Sequence, residues 1–327
     1  MNLPNKKKIL TDAIESWKNN KGRFNYMSLK NATTVDELEK GMDIKGNLIY
    51  IKSNLDKQII HFGEPSKFND KREFEFVCPE LAWLGFLIQS NSEIKKFKNA
   101  YSQCKNFDKA LKVLNPCTVI KTTELRRKLK KLGKTCADKY KDNYGIFCLT
   151  PSCYNTYFWK KYCNNYNGIC CEYDIDAICS NNKNIIRTKV VYNNAGIAYL
   201  PEYVNIDNFP EFNTSNLTDE LKSKLGTHSE KSKDVILQLM TTKPRKWIQE
   251  LETRLIIMIK SSDNTTICSR DINAFPLKIY VGYKTSDELK KYFKDYCMRH
   301  RISYEIIDND MCIDFKLEGQ NEFKKLI

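Results

Sequence analysis

The chain has 327 residues, 41% hydrophobic and 29% charged, with 54 Lys and Arg against 40 Asp and Glu and a formal net charge of +14. That length can bury a full-sized core, and those proportions are globular rather than disordered. The longest apolar runs, Leu255 to Ile259 and the Gly85-interrupted Leu81 to Ile88, fall far short of the roughly 20 residues that span a bilayer. The basic start (Lys6, Lys7, Lys8) leads only into Ile9-Leu10, which is too short for a secretory signal, so a cytoplasmic protein with no membrane partner is expected.

In chain order, 9–19 reads as a helix with Leu10, Ala13, Ile14 and Trp17 on one side. Thr34-Val35-Asp36-Glu37 fits a capping box, and Gly41 fits the stop of the helix it opens. Residues 46–63 alternate toward short strands around Leu48 to Ile51 and Ile59 to Phe62. Residues 79–140 are helical in pattern. Within them, Leu125, Leu129 and Leu132 form an apolar stripe on a segment, 122–139, that also carries Arg126, Arg127, Lys128, Lys130, Lys131, Lys134 and Lys139. That segment reads either as a nucleic-acid or acidic-partner contact or as a solvated helix face. Only 10 of the 54 basic residues are arginine, the residue with the planar fork that phosphate and base recognition favours, which weighs toward the solvated face.

From Tyr144 the texture changes to strand, over Gly145 to Thr150, Gly168 to Tyr173 and Arg187 to Tyr192, while 206–232 is polar enough for a loop. The C-terminal residues read as a β-α-β-β unit: a strand over Leu277 to Val281, a capping box at Thr285 to Glu288 opening a helix to about His300, then strands over Ile302 to Ile307 and Cys312 to Phe315. The expected fold is α+β with mixed, mainly antiparallel sheets. A main domain over 1–270 carries the helical insertion at 79–140, and the unit over 271–327 packs on it. The thirteen cysteines include no C-x-x-C pair and only three histidines accompany them, so free thiols in a reducing compartment are expected, and no metal site.

Two segments carry chemistry. The first runs from Lys243 through Trp247, Glu250 and Glu252 to Arg254 and into Leu255 to Ile259. Read backward as a strand, it sets Glu250, Glu252 and Arg254 on one face, roughly 7 Å apart. Two acids so placed can have their pKa values pushed apart for proton handling or cation stabilisation. The plainer alternatives are a surface strand with Arg254 paired to Glu252, or a helix in which Glu250 meets Arg254. The second segment, Tyr154 to Gly168, holds Tyr154, Tyr157, Phe158, Trp159, Tyr162 and Tyr166. These aromatics read as core, or as the lining of a pocket for a flat ring. Gly168 allows a left-handed turn or a close backbone approach.

Three blocks together resemble a mainly bacterial family catalogued as domain of unknown function 2971. They are Ile60 to Asp70, ending in Phe-Asn-Asp; Gly145 to Thr150 with Trp159-x-x-Tyr162 and Gly168-Ile169-Cys170; and Lys243-x-x-x-Trp247-x-x-Glu250-x-Glu252-x-Arg254. Lys71 stands where the family usually has proline, and Phe158 and Lys161 stand where it has Met and His. The order of elements is also similar to that of ADP-ribosylating toxins, whose late strand bears Glu-x-Glu and whose sheets are split. That similarity implies an NAD-consuming transferase or glycohydrolase, a toxin or defence effector, with NAD as substrate, a small-molecule nucleotide partner and a macromolecular acceptor. Glu252, Glu250 and Arg254 would then be catalytic, while Trp159, Tyr162, Asp70, Trp247 and Lys243 would bind the nucleotide. Such enzymes place a His or Arg on the first strand, and here only Arg23 is available. The alternatives are a non-catalytic sensor or binding module, and a metal-dependent nuclease using Asp70, Glu250 and Glu252.

Overall fold

The structure, a computed structural model, describes residues 5–68, 76–77, 96, 99–100, 103, 109, 112–113, 143–193, 198–199, 240–260, 265–318 and 323. Asp70, the basic segment 122–139, the polar stretch 206–232 and nearly all of the 79–140 insertion lie outside the described residues. The chain divides into two compact units, one of 1–67, 142–194 and 243–327 and the other of 68–141 and 195–242. In the second unit a two-residue strand, Phe76–Val77, pairs in parallel with Ala198–Tyr199.

The first unit is α+β with mainly antiparallel sheets. Its elements are α1 (Lys6–Lys18), β1 (Phe24–Ser28), α2 (Val35–Lys40), α3 (Ile51–Lys57), β2 (Ile59–His61), and, after β3 (Phe76–Val77) of the other unit, β4 (Tyr144–Leu149), α4 (Thr156–Lys161), β5 (Gly168–Tyr173) and α5 (Ile175–Asn181). There follow β6 (Ile186–Lys189) and β7 (Val191–Asn193), then, past β8 (Ala198–Tyr199), β9 (Thr242–Pro244), β10 (Thr253–Met258), β11 (Asp271–Asn273), β12 (Pro276–Gly282), α6 (Asp287–His300), β13 (Ser303–Ile307) and α7 (Phe315–Glu318). One sheet runs β1-β5-β12-β13, antiparallel except for the β12–β13 pair, and a second runs β4-β10-β6, antiparallel throughout. Bridges at Phe24–Thr150 and Gly63–Ile146 tie the edges together.

Local chemistry explains several of these elements. The Thr34 hydroxyl accepts from the Glu37 amide while Glu37 accepts from the amides of Thr33 and Thr34, and Gly41 ends α2 in the left-handed region at φ 68. This is the capping box expected there. At α6 the cap is Ser286, whose hydroxyl accepts from Leu289, and Glu288 instead accepts from the Val35 amide at the start of α2. A carboxylate expected to serve its own helix therefore serves a neighbour 253 residues away. The last expected strand, 312–315, is one bridge, Ile313 to Asn155, between a 3-10 turn over Asn309–Met311 and α7. Gly168 is a close-approach glycine: a Cβ there would lie 2.6 Å from both the Cys163 Cβ and the Met27 carbonyl oxygen.

Three apolar clusters fill the unit. The largest lies on the inner faces of both sheets, around Phe62, Ile169, Leu255, Ile279 and Phe293. The second packs α1 against Val190, Tyr192, Leu251, Ile313 and Phe315. The third gathers Phe24, Trp159, Cys163, Tyr166, Cys170, Tyr280 and Cys312. The nine described cysteines are free thiols. Among the described residues no helix is long and apolar enough to cross a membrane.

Candidate functional site

The apolar run that begins at Leu255 lies in β10 (Thr253–Met258), the middle strand of a three-stranded sheet, buried from Thr253 to Ile257, with β4 on one side and β6 on the other. Opposite Arg254 stand Cys148 on β4 and Thr188 on β6, so the guanidinium leaves a strand paired on both edges and is completely buried. The strand does not extend back to Glu250, as alternation predicts. Residues Arg245–Glu250 wind as a 3-10 helix, and Leu251 reverses the chain in the left-handed region at φ 44. Thr150 and Asn155 clamp this turn by donating to the carbonyls of Glu250 and Gln249. The turn nevertheless delivers both carboxylates to one point, because Lys243 lies between them.

The Lys243 ammonium donates to Glu250 Oε2 at 3.0 Å and to Glu252 Oε2 at 2.5 Å. Arg254 Nε donates to Glu252 Oε1 at 2.7 Å, and its Nη2 lies 3.5 Å from Oε2. Tyr162 donates to Glu250 Oε1 at 2.8 Å, and the Tyr192 hydroxyl accepts from the Glu252 amide at 2.8 Å. Glu250 and Glu252 are only 2% and 4% exposed, whereas Tyr162 is 36% exposed and forms the solvent end of the chain of contacts.

Burial raises the pKa of both carboxyls, but charge decides them differently. At Glu252, Arg254 and Lys243 overcome the burial and hold the group down to about 2. At Glu250 burial dominates, Lys243 only partly offsets it, and the neighbouring Glu252 adds to it, so this pKa is raised. Burial pushes up the phenols of Tyr162 and Tyr192 and the thiol of Cys148, all of which stay protonated at neutral pH.

These shifts predict opposite pH effects. Glu252 stabilises the fold above its ordinary 4.5, and that contribution, on the order of 3 kcal/mol, is lost as pH falls toward 2. Glu250 is the reverse case: ionising it inside the fold costs free energy, a cost absent below 4.5 and fully present above its raised pKa. In chemical denaturation at pH 7, Glu252→Gln is therefore expected to destabilise and Glu250→Gln to be neutral or stabilising. Greater loss in Glu250→Gln than in Glu252→Gln would contradict this assignment.

Of the residues expected to bind a ligand, Tyr162 and Lys243 join the acids. Trp159 does not. It is fully buried, donates from Nε1 to the Cys153 carbonyl at 2.7 Å, stacks on Tyr166 at 5.8 Å and 4°, and meets Tyr26 edge-on. Its indole is core and has no open face for a ligand ring, because helix α4 turns its Trp159 side onto β1 and β5. Trp247, on the 3-10 turn, is half-buried, with the Lys161 ammonium 3.7 Å from its ring centroid. Arg23, the first-strand candidate, pairs with Glu172 at 3.2 Å. Among the described residues no group of three His, Cys, Asp or Glu is placed to hold a metal. The sequence reading missed Tyr192 as a member of the site, since nothing at 192 distinguishes a site hydroxyl from an ordinary strand tyrosine.

The stretch that builds this cluster is also where the chain can be compared with known proteins. Residues 158–255 match the family described as Protein of unknown function (DUF2971). The resemblance read from the three sequence blocks is thus shown over that segment. Tyr162, Tyr192, Lys243, Trp247, Glu250, Glu252 and Arg254 all fall inside the DUF2971 match, as does Trp159. No curated protein and no solved structure matches the chain.

Proposed function

We propose that the chain breaks a ribosyl bond of a nucleotide, as an NAD-consuming glycohydrolase or ADP-ribosyltransferase acting in the cytoplasm. The observation that carries this reading is the Lys243 bridge, which holds side by side one strongly acidic and one more basic carboxyl. When the bond between ribose and nicotinamide breaks, its electron pair stays on the ring nitrogen and positive charge develops at the sugar carbon. Glu252, ionised throughout, would stabilise that charge. Glu250, the more basic of the two, would take the proton from the water or acceptor hydroxyl that adds to the same carbon. Two carboxyls whose environments separate their pKa values are a recurrent basis for such a division of roles.

Incubation with NAD should release nicotinamide, and Glu252→Gln should slow release by about 10²–10³-fold while the protein stays folded. No release by the wild type, or undiminished release by Glu252→Gln, would remove the proposal.

One observation favours a second reading, a non-catalytic binding module. All four carboxylate oxygens already have donors, from Tyr162, Lys243 and Arg254, and Trp159 serves the core. On that reading Glu252→Gln changes melting temperature alone. The nuclease reading has less support, because the Lys243 ammonium already occupies the place between Glu250 and Glu252 that a divalent cation would take.

A further inference from the structure

Between α2 and α3 the chain makes a hairpin, closed by a bridge from Met42 to Leu48 and turned by Gly46 in the left-handed region at φ 74. Side chains opposite each other across such a bridge share one face, and alternation puts their second neighbours on it too. Burial follows that alternation with its usual chemistry reversed. Asp43 and Ile49 turn inward, 5% and 3% exposed, whereas Met42, Ile44, Leu48 and Tyr50 stand outward at 45%, 76%, 54% and 63%. Four of the twelve exposed large hydrophobic residues among those described therefore lie within one stretch of nine.

Asp43 fixes this display. Its Oδ1 accepts from the amides of Lys45 at 2.9 Å and Asn47 at 2.8 Å. Its Oδ2 accepts from the amide and side chain of Asn31, both at 3.0 Å, and from the Asn47 side chain at 2.8 Å. Turning the apolar face inward would bury the carboxylate's place in the hairpin at the cost of five hydrogen bonds, so the outward face is a built feature.

Shape and charge select what covers it. The apolar face amounts to on the order of 500 Å², whereas a stable protein interface takes about 800 Å² from each partner. The tip also projects: a Cβ built on Gly46 would meet nothing within 4 Å. A small convex tip suits a surface that deforms around it better than a second folded face. Within 42–50 the charged residues are Asp43, whose carboxylate is turned inward to its five donors, and Lys45, which is exposed. The charge offered outward is thus positive, on a chain whose net charge is +14, and an anionic surface complements it.

We infer that this hairpin docks the protein on the surface of an anionic lipid bilayer, without spanning it. Met42, Ile44 and Leu48 enter the boundary between head groups and acyl chains, Tyr50 lies at head-group level, and Lys45 meets lipid phosphates. The acid pair and its chemistry play no part in this inference.

The test is flotation of the full chain with vesicles. The protein should float with vesicles of phosphatidylcholine and phosphatidylglycerol, far less with phosphatidylcholine alone, and less as salt rises. Ile44→Ser/Leu48→Ser should weaken binding at least tenfold, and Ile44→Leu/Leu48→Ile should retain it. Lys45→Glu should weaken it about fivefold or more, while Lys294→Glu, an equal change of net charge on the exposed side of α6, should leave it near wild type. Circular dichroism checks that each variant is folded. No flotation of wild type with the anionic vesicles, or equal flotation of Ile44→Ser/Leu48→Ser, would overturn the inference. Equal losses in Lys45→Glu and Lys294→Glu would do so as well, by reducing the effect to net charge. A wild-type dimer in sedimentation that Ile44→Ser/Leu48→Ser makes monomeric would give the face to a second copy of the chain and end the lipid reading.

Discussion

Arg254→Met is expected to lower the free energy of unfolding by about 3–5 kcal/mol, the cost of stranding one member of a buried ion pair. Arg254 is completely buried on the middle strand of its sheet, with backbone partners on both sides, and its Nε contacts Glu252 at 2.7 Å. Methionine replaces the aliphatic stem but not the charge. Among the described residues Glu252 then keeps Lys243 as its one cationic partner, beside the Cys148 thiol, and Lys243 is shared with Glu250. The remaining carboxylate must either stay ionised with half its compensation or take up a proton, so the loss should be larger at pH 7 than near pH 4. Adding Glu252→Gln to Arg254→Met should recover much of the loss, since removing both partners of a buried pair is far less damaging than removing one. Denaturant midpoints for the two single variants and the double variant provide the check. A loss below about 1 kcal/mol for Arg254→Met would mean that water reaches the strand and that the cluster is not sequestered.

The same cluster shows where sequence reading works and where it stops. The isoleucine-rich run after Arg254 is legible as a buried strand because β-branched residues fit a sheet covered on both faces, and β10 begins at Thr253. The meeting of Glu250 with Glu252 is legible only in outcome. Residues two apart share a face in a strand, but here a 3-10 turn and a left-handed leucine bring the carboxyls together. A leucine with positive φ leaves no trace in the sequence, because tertiary packing imposes that backbone and no side-chain preference announces it. Leu251 is fully buried in the apolar cluster that also holds α1, Val190, Tyr192, Ile313 and Phe315. The α2 capping box was readable because both of its hydrogen bonds are local. The α6 box was misassigned because Glu288 found a distant amide, and only tertiary structure reveals that choice. Trp159 and Tyr162 illustrate the same limit on one helix. Aromatic density marks the segment, yet which ring faces the core and which faces the acids depends on how α4 is rotated against β1 and the 3-10 turn.

That rotation can be tested through Trp159 itself. Trp159→Ala is expected to destabilise by about 3–5 kcal/mol, the usual range for deleting a buried Trp side chain. The indole fills the space between Tyr26 and Tyr166 in a cluster with Phe24, Cys163 and Cys170. Its loss removes that contact surface and leaves the Cys153 carbonyl without its 2.7 Å donor. Trp159→Phe separates the two contributions. It keeps a ring against Tyr166 and should cost about 1–3 kcal/mol, mostly the unsatisfied carbonyl and the smaller ring. A Trp that lined an open pocket would behave differently, since truncation there exposes a surface to water and costs under about 1 kcal/mol. Thermal or denaturant unfolding of the two variants therefore distinguishes a core indole from a ligand platform. If Trp159→Ala unfolds with wild-type stability, α4 presents its other side to the sheet, and the contact between Tyr162 and Glu250 that depends on the same rotation cannot stand.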